Sequence, residues 1–289
     1  MASTVNSPST GTEPDGLLKT HRKDNWWVGP LLTALGLGAF GLYATFRAFY
    51  PLFDEHGYFQ YGHIQKPLFS DVAGVSDKYV PPGNDPEHAY LLSPFYSPLI
   101  LLSFLPIWVS PAVFILWAPG GFRLTCYYYR KAYYRAFFAD PPGCAVGEGR
   151  KGYSGETRLF IFQNLHRYFL YVALIFLILL FIDVVHASIW PTENGSTFGV
   201  SVGTLVLLLN VTFLGLYTFS CHSFRHLIGG NIDCHSCVLG KQRYQAWKGV
   251  SFLNQRHMLF AWISLFWVGF TDFYVWMVAS GRITDFRIF

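Results

Sequence analysis

The chain has 289 residues, of which 52% are hydrophobic, 19% are aromatic and only 13% carry a formal charge. This composition excludes an ordinary soluble domain and indicates an integral membrane protein. The net charge of +4 is small, and no basic run interleaved with aromatic residues accompanies it, so we expect no nucleic-acid partner.

Long apolar stretches predict an all-α integral membrane protein, a bundle of five transmembrane helices. A spanning helix needs about 20 consecutive apolar residues. Residues 1–24 are rich in Ser, Thr, Pro and Gly and predict a flexible N-terminal tail. Residues 25–289 then form the transmembrane anchor domain, with helices over about residues 28–46, 98–118, 162–182, 199–220 and 258–278.

The distribution of lysine and arginine predicts the orientation of this bundle. With a cytoplasmic N-terminus, the three inner segments (1–27, 119–160 and 221–257) hold three, seven and five basic residues. The outer segments (49–97, 183–198 and 279–289) hold two, none and two. Basic residues concentrate on the cytoplasmic side of membrane proteins, so the N-terminus is predicted to be cytoplasmic and the C-terminus outside.

Residues with metal-binding side chains concentrate on the predicted cytoplasmic face. That compartment is reducing, so free thiols or metal thiolates are expected rather than disulfides. Cysteine and histidine are the ligands of soft and borderline metals. The face holds all five cysteines and five of the ten histidines: Cys126, Cys144, Cys221, Cys234, Cys237, His166, His222, His226, His235 and His257.

Four of these residues form the first candidate metal site. His222 and His226 are four residues apart and share one face of a continuing helix. Cys126 and Cys144 follow the second predicted helix. Two thiolates and two imidazoles suit a Rieske-type two-iron cluster and equally a zinc ion, and the ligand count does not separate the two. Cys221 is more typical of a small hydrophobic residue and is the alternate thiolate.

His166 and His257 suggest a second kind of site. They lie in similar contexts, "QNLHRYF" and "NQRHMLF", each of which opens a predicted helix. Two such histidines could ligate a haem, but the deep segments of the other helices carry no histidine, which disfavours a buried haem. With Arg256 and the aromatic side chain of Tyr128, they could instead hold the oxygen atoms of a quinone.

Four longer segments resemble a known family. They are "TCYYYRKAYYRAFFADPPGCAV", "YSGETRLFIFQNLHRYF", "YTFSCHSFRHLIGG" and "NQRHMLFAWISLFWVGFTDFYVWMVASGRITDFR". They are similar to the membrane-anchor subunit of an actinobacterial-type, haem-free succinate dehydrogenase (complex II). The resemblance covers residues 90–289, and the segment "DCHSC" (Cys234, His235 and Cys237) is not one of its motifs.

The resemblance implies a subunit that is not catalytic alone. In this family a flavoprotein subunit oxidises succinate and an iron–sulfur subunit relays the electrons. The anchor passes them through a membrane-embedded Rieske-type [2Fe–2S] cluster to menaquinone. The expected location is the inner membrane of a bacterium, in contact with lipid and within the complex or a higher oligomer of it.

The resemblance and the candidate residues together give a specific hypothesis. Cys126 and Cys144 bind one iron, and His222 and His226 bind the other. The quinone contacts His166, Arg256, His257 and Tyr128. Two other interpretations remain: a structural anchor that holds zinc at its Cys/His site, and a stand-alone haem-b quinone oxidoreductase.

Overall fold

The computed structural model describes residues 24–25, 27–49, 91–97, 111–137, 162–192, 195–230, 239–279 and 282–289. Within these ranges the chain is mostly helical and has one two-stranded hairpin. The helices are α1 (Val28–Phe49), α2 (Pro111–Ile115), α3 (Trp117–Thr125), α4 (Tyr127–Phe137), α5 (Phe162–His186), α6 (Val202–Phe219), α7 (His222–Gly229), α8 (Gly240–Asn254) and α9 (His257–Ala279).

Four of these helices are long and apolar enough to cross a membrane. They are Val28–Phe49, Leu165–His186, Val202–Phe219 and His257–Val278, which match the first, third, fourth and fifth predicted spans. The second predicted span, 98–118, begins outside the described residues. Its described part is divided between α2 and α3, and the apolar helical stretch runs on to Thr125. The predicted tail falls almost wholly outside the described residues.

The hairpin was not expected in an all-α chain. Strands β1 (Ile189–Thr192) and β2 (Gly195–Phe198) pair antiparallel directly after α5. The sequence from the end of β1 to the start of β2, "PTENGS" (191–196), contains the Pro, Asn and Gly that favour tight turns. We call the end of the bundle that carries this hairpin the hairpin end.

Helices α6 and α9 form the centre of the bundle and pack closely along their lengths, with α5 against α6. Near the hairpin end their core is formed by Leu91, Val184, Ala187, Leu207, Val275 and Val278. At the opposite end a second core contains Phe122, Cys126, Tyr129, Leu170, Tyr217, Cys221, Ala261 and Leu265. Because this core contains both described cysteines, we call that end the sulfur end.

The hairpin end holds a buried ion pair between α1 and α9. Arg47 Nε lies 2.6 Å from Asp272 Oδ2, and both side chains are fully buried. Asp272 also accepts hydrogen bonds from the hydroxyls of Tyr43 and Ser93, each at 2.5 Å. Arg47 and Ala48 are the buried residues of α1, so this polar contact is one of the attachments of α1 to the rest of the chain.

The first turn of α6 is closed by side chains at the same end. Ser201 caps the helix: its hydroxyl accepts a hydrogen bond from the backbone N–H of Thr204 at 3.1 Å. The carboxylate of Asp285, from the C-terminal segment, accepts a hydrogen bond of 2.8 Å from the backbone N–H of Gly203. A carboxylate is favourable at a helix N-terminus, where backbone N–H groups lack helical partners.

Candidate functional site

Two cysteines of the sulfur end lie at breaks between helices. Cys126 separates α3 from α4, and Cys221 separates α6 from α7; both have an extended backbone conformation. A helix that is interrupted in this way directs the side chain at the break into the space between neighbouring helices. Both thiols are consequently buried, each with only 2% of its surface exposed.

Each of these thiols faces a histidine from another helix. Nε2 of His166, near the start of α5, lies 2.9 Å from Sγ of Cys221. Nε2 of His257, the first residue of α9, lies 3.4 Å from Sγ of Cys126. Four separate parts of the chain thus bring two sulfur and two nitrogen atoms into one buried region.

Hydroxyl groups form hydrogen bonds with the second ring nitrogen, Nδ1, of both histidines. Nδ1 of His166 lies 2.9 Å from the hydroxyl of Thr125, and Nδ1 of His257 lies 2.7 Å from that of Ser220. Each hydroxyl donates a hydrogen bond to a backbone carbonyl of the preceding turn. The hydroxyl oxygens therefore accept from Nδ1–H, which assigns both imidazoles to the tautomer whose Nε2 lone pair is directed at sulfur.

Aromatic rings fix the planes of the two imidazoles. Phe122 stacks on His166 with a centroid distance of 4.6 Å and an interplanar angle of 5°. Tyr217 stacks on His257 at 5.0 Å and 15°. Ring stacking and the hydroxyl contact together leave each imidazole little freedom to rotate, so its Nε2 atom is held in place before any ligand arrives.

The same five-residue pattern supplies both halves of the site. "FRLTC" at 122–126 and "YTFSC" at 217–221 each give an aromatic ring, then a hydroxyl, then a cysteine at the helix break. The ring and hydroxyl of one segment hold a histidine whose Nε2 faces the cysteine of the other segment. This crossed arrangement ties the two halves together, so neither can form alone.

The electrostatic environment of Cys221 has opposing contributions. Burial raises the pKa of its thiol to about 12, and the nearby Cys126 raises it as well. The backbone N–H groups of Ser223 and Phe224, at the start of α7, act in the other direction. The free thiol therefore stays protonated, while the helix N-terminus is placed to stabilise the thiolate once a metal displaces that proton.

Arg123 places a positive charge beside the site. Its guanidinium lies 4.7 Å from the centroid of the Tyr217 ring. It donates hydrogen bonds to the hydroxyls of Tyr129 (2.8 Å) and Ser264 (3.0 Å). A held cation at this position favours any bound group that carries negative charge.

Within the part of the chain that the structure describes, no three His, Cys, Asp or Glu side chains are grouped as ligands of a single metal ion. The four donors instead form two sulfur–nitrogen pairs. A single tetrahedral ion would need all four atoms around one point.

Comparison with known proteins identifies the family. The family model for the actinobacterial succinate dehydrogenase subunit SdhC matches residues 28–281. The chain belongs to this family. A chain of the Mycobacterium smegmatis Sdh1 complex in the apo form is 39% identical to it, with 100% of each chain covered and a TM-score of 0.68. None of the curated proteins matches it.

Membership in the SdhC family confirms the coarse part of the resemblance. The chain is a membrane subunit of an actinobacterial succinate dehydrogenase, with several apolar helices as such a subunit requires. The other subunits of such a complex are therefore its plausible partners.

The structure describes three of the four residues of the first predicted metal site. Cys126 is in the buried site of the SdhC chain. His222 and His226 have exposed positions on α7, beside that site but outside its core. Cys144 lies outside the described residues, as do Cys234, His235 and Cys237, so the predicted set of four stays a prediction.

The residues predicted to hold a quinone each have contacts with other parts of the protein. His166 and His257 face the sulfur atoms, as described above. The hydroxyl of Tyr128 accepts a hydrogen bond of 2.7 Å from Nε1 of Trp262. Arg256 is exposed, and its guanidinium lies 4.8 Å from the ring centroid of Phe252.

Sequence reasoning missed the pairing of His166 and His257 with the cysteines. One signal was present: "FRLTC" and "YTFSC" repeat the order aromatic, two residues, hydroxyl, cysteine. The repeat would have grouped Cys221 with Cys126. It would also have shown the two hydroxyls as groups that orient ligands.

Proposed function

We propose that this SdhC subunit transfers electrons from the iron–sulfur subunit of succinate dehydrogenase to menaquinone through a Rieske-type [2Fe–2S] cluster. Cys126 and Cys221 would bind one iron, and His166 and His257 the other. The observation that carries the proposal is the convergence of these two thiols and two imidazoles in one buried region. The aromatic rings and hydroxyls of "FRLTC" and "YTFSC" fix the orientation of both imidazoles.

The donor set fits this cluster. A Rieske centre takes two cysteines on one iron and two histidines on the other, so each iron needs only two protein ligands. A zinc ion with the same residues would need all four around one centre, and no group of three or more donors is found in the described ranges. The thiol–imidazole contacts of Cys221 with His166 and of Cys126 with His257 would separate on cluster binding, because the proposed ligation places both sulfur atoms on one iron and both nitrogen atoms on the other.

The residues around the donors do what metal ligands require. The histidines of metal sites usually donate their second ring N–H to a fixed acceptor, which sets the tautomer and the ring orientation. Thr125 and Ser220 are those acceptors here, and each hydroxyl donates its own hydrogen bond to a backbone carbonyl. The two Nε2 lone pairs are then free for metal once the thiol protons leave.

The chemistry supplied by the bound cluster would be one-electron transfer at the relatively high potential that histidine ligation gives, about −150 to +300 mV. The protein keeps water away by burying both thiols. It also holds the Arg123 cation beside the site, which favours the more negative, reduced form.

The surface formed by α7 and α8 is the proposed docking site for the iron–sulfur subunit. Helix α8 is polar and exposed over most of its length, and it carries Lys241, Arg243 and Lys248. Arg243 donates hydrogen bonds to the carbonyls of Ile228 (3.1 Å) and Gly230 (2.9 Å), which fixes α8 against the end of α7. Electrons entering here would meet the sulfur end first, so the proposal has that end on the cytoplasmic side.

Tyr128 is the proposed contact for menaquinone. It lies two residues after Cys126, is partly buried, and already accepts a hydrogen bond from Trp262. Burial raises the pKa of Tyr128, so its hydroxyl keeps its proton and can donate to a quinone oxygen. The stacked rings of Trp262 and Phe266 provide the adjacent apolar surface.

Electron paramagnetic resonance of the purified, dithionite-reduced complex tests the cluster and its ligands. The native complex should give a Rieske-type signal with a low average g value. Cys221→Ser and His166→Ala should abolish it. Serine is a preferred N-cap residue, so Cys221→Ser removes the thiolate without weakening the start of α7.

The matched controls are His222→Ala and His226→Ala, which change the exposed histidines beside the site. Both should keep the signal. Loss of the signal in these controls, with retention in Cys221→Ser, would instead support the ligands predicted from the sequence, which are Cys126, Cys144, His222 and His226. Stoichiometric zinc without iron in the native complex would instead support the structural-anchor interpretation, and a haem absorption band would support the haem-b one.

A further inference from the structure

Two buried side chains of α6 carry polar atoms that have no hydrogen-bond partner among the described residues. They are the amide of Asn210 and the hydroxyl of Tyr217, which are 1% exposed each. An unpartnered buried polar atom lowers the stability of the fold, so its presence points to a partner that the protein alone does not supply. Only Tyr217 belongs to the core that contains the cysteines.

The surroundings of Tyr217 indicate what that partner is. Its ring stacks on His257, it lies in the same core as Cys126 and Cys221, and the guanidinium of Arg123 is 4.7 Å from its ring centroid. The hydroxyls of Thr125, Ser220 and Tyr129 around the same donors each donate a hydrogen bond to a backbone carbonyl. The hydroxyl of Tyr217 is the exception, at the place where the proposed cluster would sit.

The crossed repeat gives an internal comparison for this hydroxyl. Phe122 has the position in "FRLTC" that Tyr217 has in "YTFSC", and each ring stacks on a histidine in the same way. Stacking therefore needs only the ring. The hydroxyl of Tyr217 is an addition to one half of the site, and packing does not account for it.

We propose that Tyr217 is a positioning residue whose hydroxyl donates a hydrogen bond to a sulfur atom of the bound cluster or of its cysteine ligands, and so raises the reduction potential. This inference rests on the function proposed above. Reduction adds negative charge to the cluster, and a fixed donor stabilises the reduced form more than the oxidised form. The Arg123 cation beside the same ring acts in the same direction.

Redox titration of the Rieske-type signal in the purified complex tests this role. Tyr217→Phe keeps the stacked ring and removes only the hydroxyl. We expect an unchanged content of iron and labile sulfide and a change of about tenfold in the equilibrium constant for reduction. That change corresponds to a potential lower by about 59 mV for a one-electron couple.

Tyr129→Phe is the matched control. Tyr129 belongs to the same core, but its hydroxyl already donates to the carbonyl of Ala261 at 2.5 Å and accepts from Arg123. Arg123 also contacts that carbonyl and Ser264, so it stays in place without the Tyr129 hydroxyl. The potential in this variant should remain close to that of the native complex.

Site-specific replacement of Tyr217 by 3-fluorotyrosine gives an independent second measurement. The fluorinated hydroxyl is a stronger donor in nearly the same shape, so the potential should rise where Tyr217→Phe lowers it. A purely structural role predicts no such opposite shifts. This measurement decides the question even if Tyr217→Phe loses the cluster.

Native-like potentials in both Tyr217 variants would overturn the inference and leave the proposed function intact. A lowering in Tyr129→Phe equal to that in Tyr217→Phe would overturn it too. Absence of the Rieske-type signal from the native complex is a different result, because it would overturn the proposed function first and this inference with it.

Discussion

The two ends of the bundle bury polar side chains for different purposes. At the hairpin end, the opposite charges of Arg47 and Asp272 meet at 2.6 Å. The hydroxyls of Tyr43 and Ser93 donate further hydrogen bonds to the Asp272 carboxylate. At the sulfur end, the central groups are thiols and neutral imidazoles, which meet in thiol–imidazole hydrogen bonds.

This difference separates a structural contact from the proposed binding site. The carboxylate of Asp272 has its acceptor positions occupied by protein donors, so it holds helices together and has little capacity for another ligand. The sulfur and nitrogen atoms at the other end exchange weak thiol hydrogen bonds that a metal can replace, while their supporting groups are firmly bonded. At the hairpin end, the central carboxylate receives its hydrogen bonds from the protein. At the sulfur end, the groups behind the histidines are firmly hydrogen-bonded, whereas the central sulfur and nitrogen atoms can still take a ligand.

The largest expected effect comes from breaking the ion pair at the hairpin end. Asp272→Ala leaves the Arg47 cation buried without its carboxylate, which should cost about 3–5 kcal/mol of stability. Thermal unfolding of the solubilised complex measures this loss. Asp272 is about 22 Å along α9 from His257, so the midpoint potential of the cluster should not change in molecules that remain folded.

The double variant Arg47→Met with Asp272→Leu is the control for that experiment. It replaces both charges by apolar groups of similar size, and it should recover most of the stability that the single variant loses. A single variant as stable as the native complex would show that the hairpin end does not depend on this pair.

A smaller effect is expected from the hydroxyls behind the histidines at the sulfur end. Thr125→Val and Ser220→Ala should each lower iron affinity by about 10–100-fold, because the imidazoles lose the acceptors that orient them. Iron content after graded chelator treatment measures this change. Thr212→Val is the control: the Thr212 hydroxyl is exposed and only bonds its own helix, so its loss should leave the iron content unchanged.

The smallest effect is expected at the capped start of α6. Ser201→Ala removes the hydroxyl that accepts the Thr204 N–H, and loss of such a cap costs about 1 kcal/mol. The melting temperature of the complex should fall slightly, with no change in the iron signal. A changed signal would mean that the two ends are coupled through α6, against the separation described above.

Hydrophobic length predicted most of the fold, since four of the five expected spans appear as continuous apolar helices. The break at Cys126 was not predictable in this way, because a single extended residue leaves the apolar pattern intact. The hairpin after α5 was missed for a similar reason: each of its strands has only four residues, too few to show a period.

The candidate site shows where residue spacing stops being informative. The i,i+4 spacing of His222 and His226 establishes that they share a face of their own helix, but it does not say which way that face points. In the structure α7 exposes both. His166 and His257 each stand alone in sequence and are brought to the sulfur atoms only by the packing of α5 and α9 against α3 and α6.

The crossed arrangement of the two five-residue segments has a consequence for biogenesis. Cys126 and His257 form one pair although 131 residues separate them, and His257 opens the last membrane span. A nascent chain that still lacks this span presents an incomplete set of donors. Under the proposed function, delivery of the cluster would therefore be a late event, after insertion is finished, and truncated chains would leave the translocation machinery without it.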